Sequence, residues 1–126
     1  MHKTIISTQK APAPIGPYSQ AIMINDTLYA SGQIAIDAST GDMITSDITL
    51  ETHQVMKNMG FILEAAGMDY NNVVKCGIFV KDMNDFATIN AAYGEYFKEN
   101  PPARETVEVS RLPKDVNVEI SCVAVK

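Results

Sequence analysis

One arginine and one glutamate occupy positions where their charges could do chemistry. Arg104 follows Asn100 and two prolines and comes just before a β-rich run, so stiff backbone would hold its guanidinium in place. A planar guanidinium held in this way binds a carboxylate through two parallel hydrogen bonds. Glu119 lies in an otherwise apolar run, where burial would raise the pKa of its carboxyl toward the range of acid–base catalysis. The residues alone leave two alternatives open: a solvated loop arginine and a glutamate that faces solvent.

Four uncharged residues could line a ligand cleft. Tyr18 ends the proline-rich segment 8–19, which is predicted to be an ordered arm, and its ring could close a pocket. Ser31 and Gly32 end a β-rich run and offer backbone for close approach to a ligand. Asn90 occupies a helical position, where solvent exposure or a hydrogen bond from helix to loop is the alternative. Taken singly, Tyr18, Ser31 and Gly32 each fit a packing or turn role better than a binding role.

The motifs of several other catalytic classes do not occur in the sequence. There is no Gly-x-Gly-x-x-Gly pattern, P-loop or Gly-x-Ser-x-Gly pattern. The two histidines, His2 and His53, cannot supply a metal site with three such ligands, and neither lies beside a nucleophile signal. We therefore expect no metal site and no nucleophilic catalysis, and we expect His53 on a solvated helix face.

Composition and charge narrow the class of protein further. The chain has 126 residues, 46% of them hydrophobic, which predicts a single domain over 1–126 with one buried core. Its formal net charge of -5 speaks against a nucleic-acid partner. No apolar run has the length of a membrane span or resembles a signal peptide, so we expect a cytoplasmic protein without a membrane partner. Cys76 and Cys122 lie in apolar runs and are interpreted as reduced core residues.

Hydrophobic periodicity predicts the elements that must position these residues. Apolar spacing of three and four residues predicts a helix over 48–66 and a second helix that begins after Asp82 and ends before Pro101. The apolar stripe of the second helix comprises Phe86, Ile89, Tyr93 and Phe97. Strands are predicted over 27–32, 33–37, 73–80, 106–110 and 116–125. This order predicts an α+β fold in which a mixed, mostly antiparallel sheet carries both helices on one face, and in which other subunits cover the opposite face.

Five separated blocks of the sequence resemble a known protein family. The blocks are Gly16-Pro17-Tyr18-Ser19-Gln20-Ala21, Ser31-Gly32-Gln33-Ile34, the segment 80–90, Pro102-Ala103-Arg104 and the segment 107–115. In order and spacing they resemble the RidA (YjgF) family of reactive intermediate deaminases, from about Ile15 to the C-terminus. Five blocks spread over nearly the whole chain are far more specific than one short motif.

The resemblance implies both a fold and an activity. The fold is chorismate-mutase-like and forms a homotrimer, with sheets that line a central barrel and ligand clefts between neighbouring subunits. The activity is hydrolysis of 2-imino acids such as 2-iminobutanoate and 2-iminopropanoate, which pyridoxal-phosphate-dependent dehydratases release, to 2-oxo acids and ammonia, without metal or cofactor. Two alternatives stay open: a regulatory trimer that binds 2-oxo acids without turnover, and an endoribonuclease or translation inhibitor. The sequence pI of about 4.8 speaks against the latter.

Carried over residue by residue, the resemblance implies roles for the candidate residues. Arg104 matches the arginine that binds the substrate carboxylate, and Glu119 matches the acidic residue that positions or activates the attacking water. The other matches, which line the substrate-binding cleft, are Tyr18, Ser31, Gly32, Asn90 and Thr106. Thr106 stands where many members carry cysteine, so a role for its backbone is implied and a role for a thiol is not. The loop 98–101 is shorter than in some members, which alters one wall of the pocket.

Overall fold

The computed structural model describes residues 2–126, which form two α-helices and a six-stranded sheet. In chain order the elements are β1 Lys3–Ile6, β2 Ala21–Ile24, β3 Thr27–Gln33, α1 Ile48–Ala65, β4 Val73–Val80, α2 Phe86–Gly94, β5 Ala103–Glu108 and β6 Val118–Val125. The strand order in the sheet is β1-β2-β3-β6-β4-β5. Neighbouring strands are antiparallel except β4 and β5, which are parallel and joined by α2. The expected α+β class with a mixed, mostly antiparallel sheet is confirmed.

The core lies between the sheet and the two helices, which share one face. Along β6 every second side chain is buried against α1, and these residues are Val118, Ile120, Cys122 and Ala124. Facing them on α1 are Val55, Met56, Met59, Ile62 and Leu63, each no more than 1% exposed. Cys76 on β4 belongs to the same core, and both cysteines are free thiols. The prediction that both cysteines are core residues is therefore confirmed.

Helix α1 begins at a capping residue and fixes the start of β6. The side chain of Asp47 accepts a hydrogen bond of 2.9 Å from the backbone N–H of Leu50, as an N-cap does. In the first turn, the carboxylate of Glu51 is fully buried. It accepts hydrogen bonds from the backbone N–H and the side-chain amide of Asn117 and from the backbone N–H of Val118. Because these donors satisfy the buried charge, α1 sets the position of the strand that carries Glu119.

A single side chain orders the proline-rich arm. Gln20 is only 3% exposed, and its amide donates hydrogen bonds to the backbone carbonyls of Thr8, Ala11 and Pro12. Its side-chain oxygen also accepts from the backbone N–H of Thr8 at 2.7 Å. The prolines remove backbone donors, so these carbonyls find their partner in a side chain rather than in a strand. The prediction of an ordered arm over 8–19 is confirmed.

The strand prediction over 33–37 is wrong, and β1 and β2 were not predicted. β3 continues through Gln33 and then ends. The backbone carbonyls of Ile34 and Ile36 accept hydrogen bonds from the side-chain amide of Asn58 on α1, at 3.0 and 2.9 Å. The carbonyls of Ile34 and Ile36 therefore accept from a helix side chain instead of a neighbouring strand, while the Ala35 carbonyl accepts from the backbone N–H of Ile44 beside the isolated bridge between Ile36 and Met43.

Three predicted elements have ends that differ from the observed ones. β5 begins at Ala103 and ends at Glu108, earlier than the predicted 106–110, because its pairing with β4 starts at Ala103. β6 starts at Val118 rather than at 116, because a turn of 3-10 helix over Pro113–Asp115 precedes it. α2 ends at Gly94, so Phe97 lies beyond the helix, although its ring still packs 4.9 Å from that of Tyr93.

The sheet face opposite the helices is only partly covered. A small cluster of Ile34, Leu112 and Val116 packs over one end of it, together with Phe79. Elsewhere on this face large apolar side chains are exposed: Tyr29 by 51%, Val107 by 40% and Val125 by 37%. Apolar side chains on an open sheet face are typical of surfaces that contact another protein chain.

Candidate active site

Arg104 lies on β5, at the edge of the sheet, and its guanidinium contacts α2. Nη1 donates a hydrogen bond to the side-chain oxygen of Asn90. The guanidinium carbon lies over two aromatic rings, 5.6 Å from the centroid of Phe86 and 5.3 Å from that of Tyr93. Among residues 2–126, Asn90 is the one hydrogen-bond acceptor of this guanidinium, and Arg104 is exposed. Arg104 is thus a strand residue with a defined partner, and its other N–H groups are open to a ligand.

Two buried titratable side chains, Tyr93 and Cys76, lie beside Arg104 on this side of the sheet. Tyr93 is 5% exposed, and burial raises the pKa of its hydroxyl. Burial likewise raises the pKa of the Cys76 thiol, which lies against that hydroxyl. Two buried hydroxyl oxygens, Tyr93 Oη and Thr106 Oγ1, have no hydrogen-bond partner within the described chain. Because both Tyr93 and Cys76 stay neutral near pH 7, neither competes with a ligand for the positive charge of Arg104.

Glu119 lies on β6 with its carboxyl half-buried against Gly32 of β3. Burial raises the pKa of this carboxyl above its ordinary value of 4.5. A Cβ atom on residue 32 would come within 2.8 Å of Cδ of Glu119, so a larger residue here would displace the carboxyl from its observed position. The close approach falls at an irregularity of the β3–β6 pairing between Ala30 and Gln33. Gly32 thereby has a specific task, which is to make room for the acid.

Ser31 connects the end of β3 to the proline-rich arm that carries Tyr18. Its hydroxyl donates a hydrogen bond of 2.6 Å to the carbonyl of Ser19, and its backbone N–H donates one of 2.9 Å to the carbonyl of Gln20. Tyr18 is 46% exposed, and its hydroxyl accepts from the backbone N–H of Ile15. The arm therefore meets the sheet next to Gly32.

Arg104 and Glu119 lie on opposite faces of the sheet. Cys76 of β4 pairs in register with Arg104 and is buried beneath the helices. Phe79, three residues further along β4, pairs with Glu119 and therefore faces the other way. One chain thus does not bring the guanidinium and the carboxyl together. The candidates form two groups: an arginine group of Arg104, Asn90 and Thr106, and a glutamate group of Glu119, Gly32, Ser31 and Tyr18.

Two residues that contact Arg104 were not predicted as part of a site. Phe86 and Tyr93 were interpreted as members of an apolar stripe that faces the core. With Asn90 they occupy positions i, i+4 and i+7 of α2, which lie on one face of a helix. The sequence does contain a signal for this contact. Two aromatic residues flank an amide at helical spacing, and an arginine follows just before a strand.

His53 is not on a solvated face, contrary to expectation. Its Nδ1 lies 2.8 Å from the hydroxyl of Tyr96, and its Nε2 lies 3.4 Å from the carboxylate of Glu95. The side chain is 25% exposed and joins α1 to the turn that follows α2. The residue belongs to neither group.

Residues 2–126 include neither a cluster of metal ligands nor a membrane-spanning helix. No group of three or more histidine, cysteine, aspartate or glutamate side chains is placed to hold a metal ion in this part of the chain. Neither described helix is long and apolar enough to cross a membrane.

A known family matches almost the whole chain. The family described as Endoribonuclease L-PSP, which is the RidA (YjgF) family, matches residues 8–126. The chain belongs to the RidA family. The matched region contains both the arginine group and the glutamate group.

Relatives of this RidA-family chain carry two kinds of name. A RutC family protein of Pyrococcus horikoshii is 54% identical over 98% of each chain. The human 2-iminobutanoate/2-iminopropanoate deaminase is 48% identical, over 98% of this chain and 90% of the human one. The crystal structure of Escherichia coli TdcF with bound serine superposes with a TM-score of 0.93 at 39% identity, over 98% of each chain. The fold described above is therefore that of solved structures of the family.

Proposed function

We propose that this chain hydrolyses reactive 2-imino acids, such as 2-iminobutanoate and 2-iminopropanoate, to 2-oxo acids and ammonia. The observation that carries the proposal is the exposed guanidinium of Arg104, which Asn90 holds while its other N–H groups stay open. All of these substrates share a carboxylate, the group that a guanidinium binds with two parallel hydrogen bonds. The name of the human relative supports the same reaction. The class of reaction that supplies the substrate is dehydration of hydroxyamino acids.

Glu119 provides the proton transfers that the hydrolysis needs. The carbon of a protonated imine is electrophilic, so water adds to it without a covalent nucleophile. The Glu119 carboxylate takes a proton from the attacking water as the C–O bond forms and returns it to nitrogen. As the C–N bond breaks, the carboxylate takes the remaining hydroxyl proton so that the C=O bond forms, and the departing ammonia carries this proton away as ammonium. One 2-imino acid and one water give one 2-oxo acid and one ammonia. Arg104 holds the carboxylate throughout and so fixes the distance between carbon and water.

A second copy of the chain completes the site. The arginine group and the glutamate group lie on opposite faces, so a cleft that contains both must join two subunits. We place Arg104 of one subunit opposite Glu119 of the next in a homotrimer whose uncovered sheet faces line a central barrel. Support comes from the exposed apolar side chains Tyr29, Val107 and Val125 on that face.

A competition assay tests the proposed activity. A dehydratase acting on L-threonine or L-serine generates the imine, and semicarbazide captures it faster than it captures the 2-oxo acid. We expect the initial rate of semicarbazone formation to fall as this protein is added, because hydrolysis removes the imine before capture. Heat-denatured protein is the control. An unchanged rate at protein concentrations above that of the dehydratase would contradict the proposal.

Mixing two inactive variants tests the shared site. Arg104→Ala subunits lack the anchor, and Glu119→Gln subunits lack the acid. In a randomly exchanged 1:1 mixture about a quarter of the sites join an intact Arg104 to an intact Glu119. We expect the mixture to show about a quarter of the wild-type activity in the competition assay. Each variant alone, treated with the same exchange procedure, should show none. No recovery in a mixture that native mass spectrometry shows to contain mixed trimers would mean that each site belongs to one subunit.

Binding of 2-oxo acids without turnover is the second candidate function. Two observations favour it: the arginine group is complete within one chain, and the related TdcF was solved with bound serine. This function predicts saturable binding of 2-oxobutanoate, measured by calorimetry, together with an unchanged rate of semicarbazone formation. Calorimetry and the competition assay together separate the two functions.

A further inference from the structure

Where Glu119 lies, β6 has a strand neighbour on one edge only. β3 pairs with β6 as far as Gln33, which stands opposite Ile120, and then ends. On the other edge β4 continues to pair beyond this point, with Phe79 opposite Glu119. The backbone groups on the unpaired edge of β6 therefore need a partner other than a strand.

The N–H of Val118 points to this unpaired edge. The carbonyl of Asn117 accepts a hydrogen bond of 3.0 Å from the backbone N–H of Lys81, which directly follows β4. The C=O and N–H of one trans peptide unit point in opposite directions, and the described chain has no cis peptide bond. The N–H of Val118 therefore faces away from β4, toward the side where β3 has ended.

Glu51 of α1 takes the place of the missing strand. Its Oε2 accepts from the backbone N–H groups of Asn117 and Val118, at 2.8 and 3.2 Å. Its Oε1 accepts from the side-chain amide of Asn117 at 2.7 Å. Both oxygens of this fully buried carboxylate are used, and the backbone that they hold ends one residue before Glu119.

We propose that Glu51 is a positioning residue for the hydrolysis, which holds the start of β6 so that Glu119 keeps its place over Gly32. The inference rests on the proposed function, in which Glu119 transfers protons. Proton transfer requires hydrogen-bond distance to the water, so a displacement of about 1 Å lowers the rate steeply. Because β3 ends after the irregularity that makes room for the Glu119 carboxyl, a helix side chain holds β6 at this point.

The discriminating experiment compares two variants that separate the reach of the Glu51 side chain from its charge. Glu51→Asp keeps the carboxylate but is one methylene shorter, so it does not reach the backbone of β6 from the same helix position. Glu51→Gln loses the charge but keeps the reach. Its oxygen can accept the two backbone bonds, and its amide can donate to the side chain of Asn117 once that amide turns over.

The quantity compared is kcat for imine hydrolysis per binding site, with the sites counted by calorimetric titration with 2-oxobutanoate so that unfolded protein does not count. We expect Glu51→Asp to lower this kcat by about tenfold or more, and Glu51→Gln to stay within about threefold of wild type. KM and the affinity for 2-oxobutanoate should change by less than about twofold in both, because Arg104 on β5 anchors the carboxylate.

Thr52→Val is the matched control for packing of α1. Thr52 is the next residue of the helix and is fully buried, and its hydroxyl donates to the carbonyl of Ile48 within the same helix. The replacement has nearly the same shape and loses this one bond. It should lower the melting temperature and leave kcat per site unchanged.

The outcomes distinguish failure of this inference from failure of the proposed function. Wild-type kcat per site in Glu51→Asp would overturn the inference, as would an equal loss in Glu51→Gln or Thr52→Val, while hydrolysis by the wild type would stand. If Glu51→Asp titrates no sites, Asn117→Ala replaces it. This variant removes one donor to Glu51 and should lower kcat per site about threefold, and an unchanged value would overturn the inference. If wild-type protein hydrolyses no imine, both proposals fall.

Discussion

Replacing Arg104 with alanine is expected to lower kcat/KM for imine hydrolysis by about 100-fold or more. The variant loses the paired, charge-assisted hydrogen bonds that hold the substrate carboxylate, and the reacting carbon is then no longer fixed relative to the water. The semicarbazone competition assay measures the loss. Calorimetry with 2-oxobutanoate should show a comparable loss of affinity, because the product carries the same carboxylate.

Two companion variants show whether the loss comes from the anchor. Arg104→Lys keeps the positive charge but lacks the planar fork, so its activity should lie much closer to that of the alanine variant than to wild type. Arg111→Ala removes the other arginine of the chain, which is exposed and belongs to neither group. It should retain wild-type activity. Because Arg104 is exposed, its replacement should leave the melting temperature nearly unchanged, and full turnover by Arg104→Ala would refute the anchor role.

Glu119→Gln is expected to reduce kcat by about 100-fold or more and to remove the acid limb of the pH–rate profile. Burial raises the pKa of the Glu119 carboxyl above 4.5, so the ionised form that accepts the proton is lost as the pH falls through this raised value. The wild-type rate should therefore rise with pH across a limb that lies above the ordinary carboxyl range. In the glutamine variant the limb should be absent, and kcat against pH is the measurement.

The stability of Glu119→Gln shows whether its loss of activity comes from unfolding instead of from loss of the acid. A carboxyl whose pKa is higher in the folded than in the unfolded chain binds protons preferentially when folded, so its contribution to stability is lost as the pH rises through that pKa. Glutamine removes this dependence, and the variant should be at least as stable as wild type at neutral pH. Glu99→Gln, at an exposed position after α2, is the control for changing net charge. An unaltered acid limb in Glu119→Gln would show that another group titrates.

The elements that could be predicted from the sequence are those specified by local pattern. The amphipathic spacing in α1 and the apolar run of β4 predicted their positions to within one residue. β1 and β2 are four residues each, and β1 is an exposed edge strand, so neither carries a strong pattern. The segment 33–37 has the composition of a strand, but the carbonyls of Ile34 and Ile36 accept from the Asn58 side chain, a partner that no local rule predicts.

For the candidate site, too, the sequence predicted which residues matter but not where the fold places them. Local sequence was enough to single out Arg104 and Glu119 as charged candidates, and resemblance to a family assigned their roles. Which face of the sheet each side chain occupies depends on the register of β4 with β5 and β6, and this register joins segments distant in sequence. Phe86 and Tyr93 were interpreted as core residues because an aromatic stripe at helical spacing looks the same whether it packs on a sheet or on a guanidinium.

Gln20 makes the N-terminal arm a separate unit of local unfolding. All the bonds of its side chain go to Thr8, Ala11 and Pro12, and none of them belongs to a strand ladder. Opening the arm therefore breaks these bonds, the bond from Ser31 to Ser19 and the exposed ion pair of Lys10 with Glu64 of α1, and it uncovers Ala11, but it breaks no bond of a strand ladder. Since the arm meets β3 through Ser31, such an opening would expose the neighbourhood of Gly32 while the sheet stays paired.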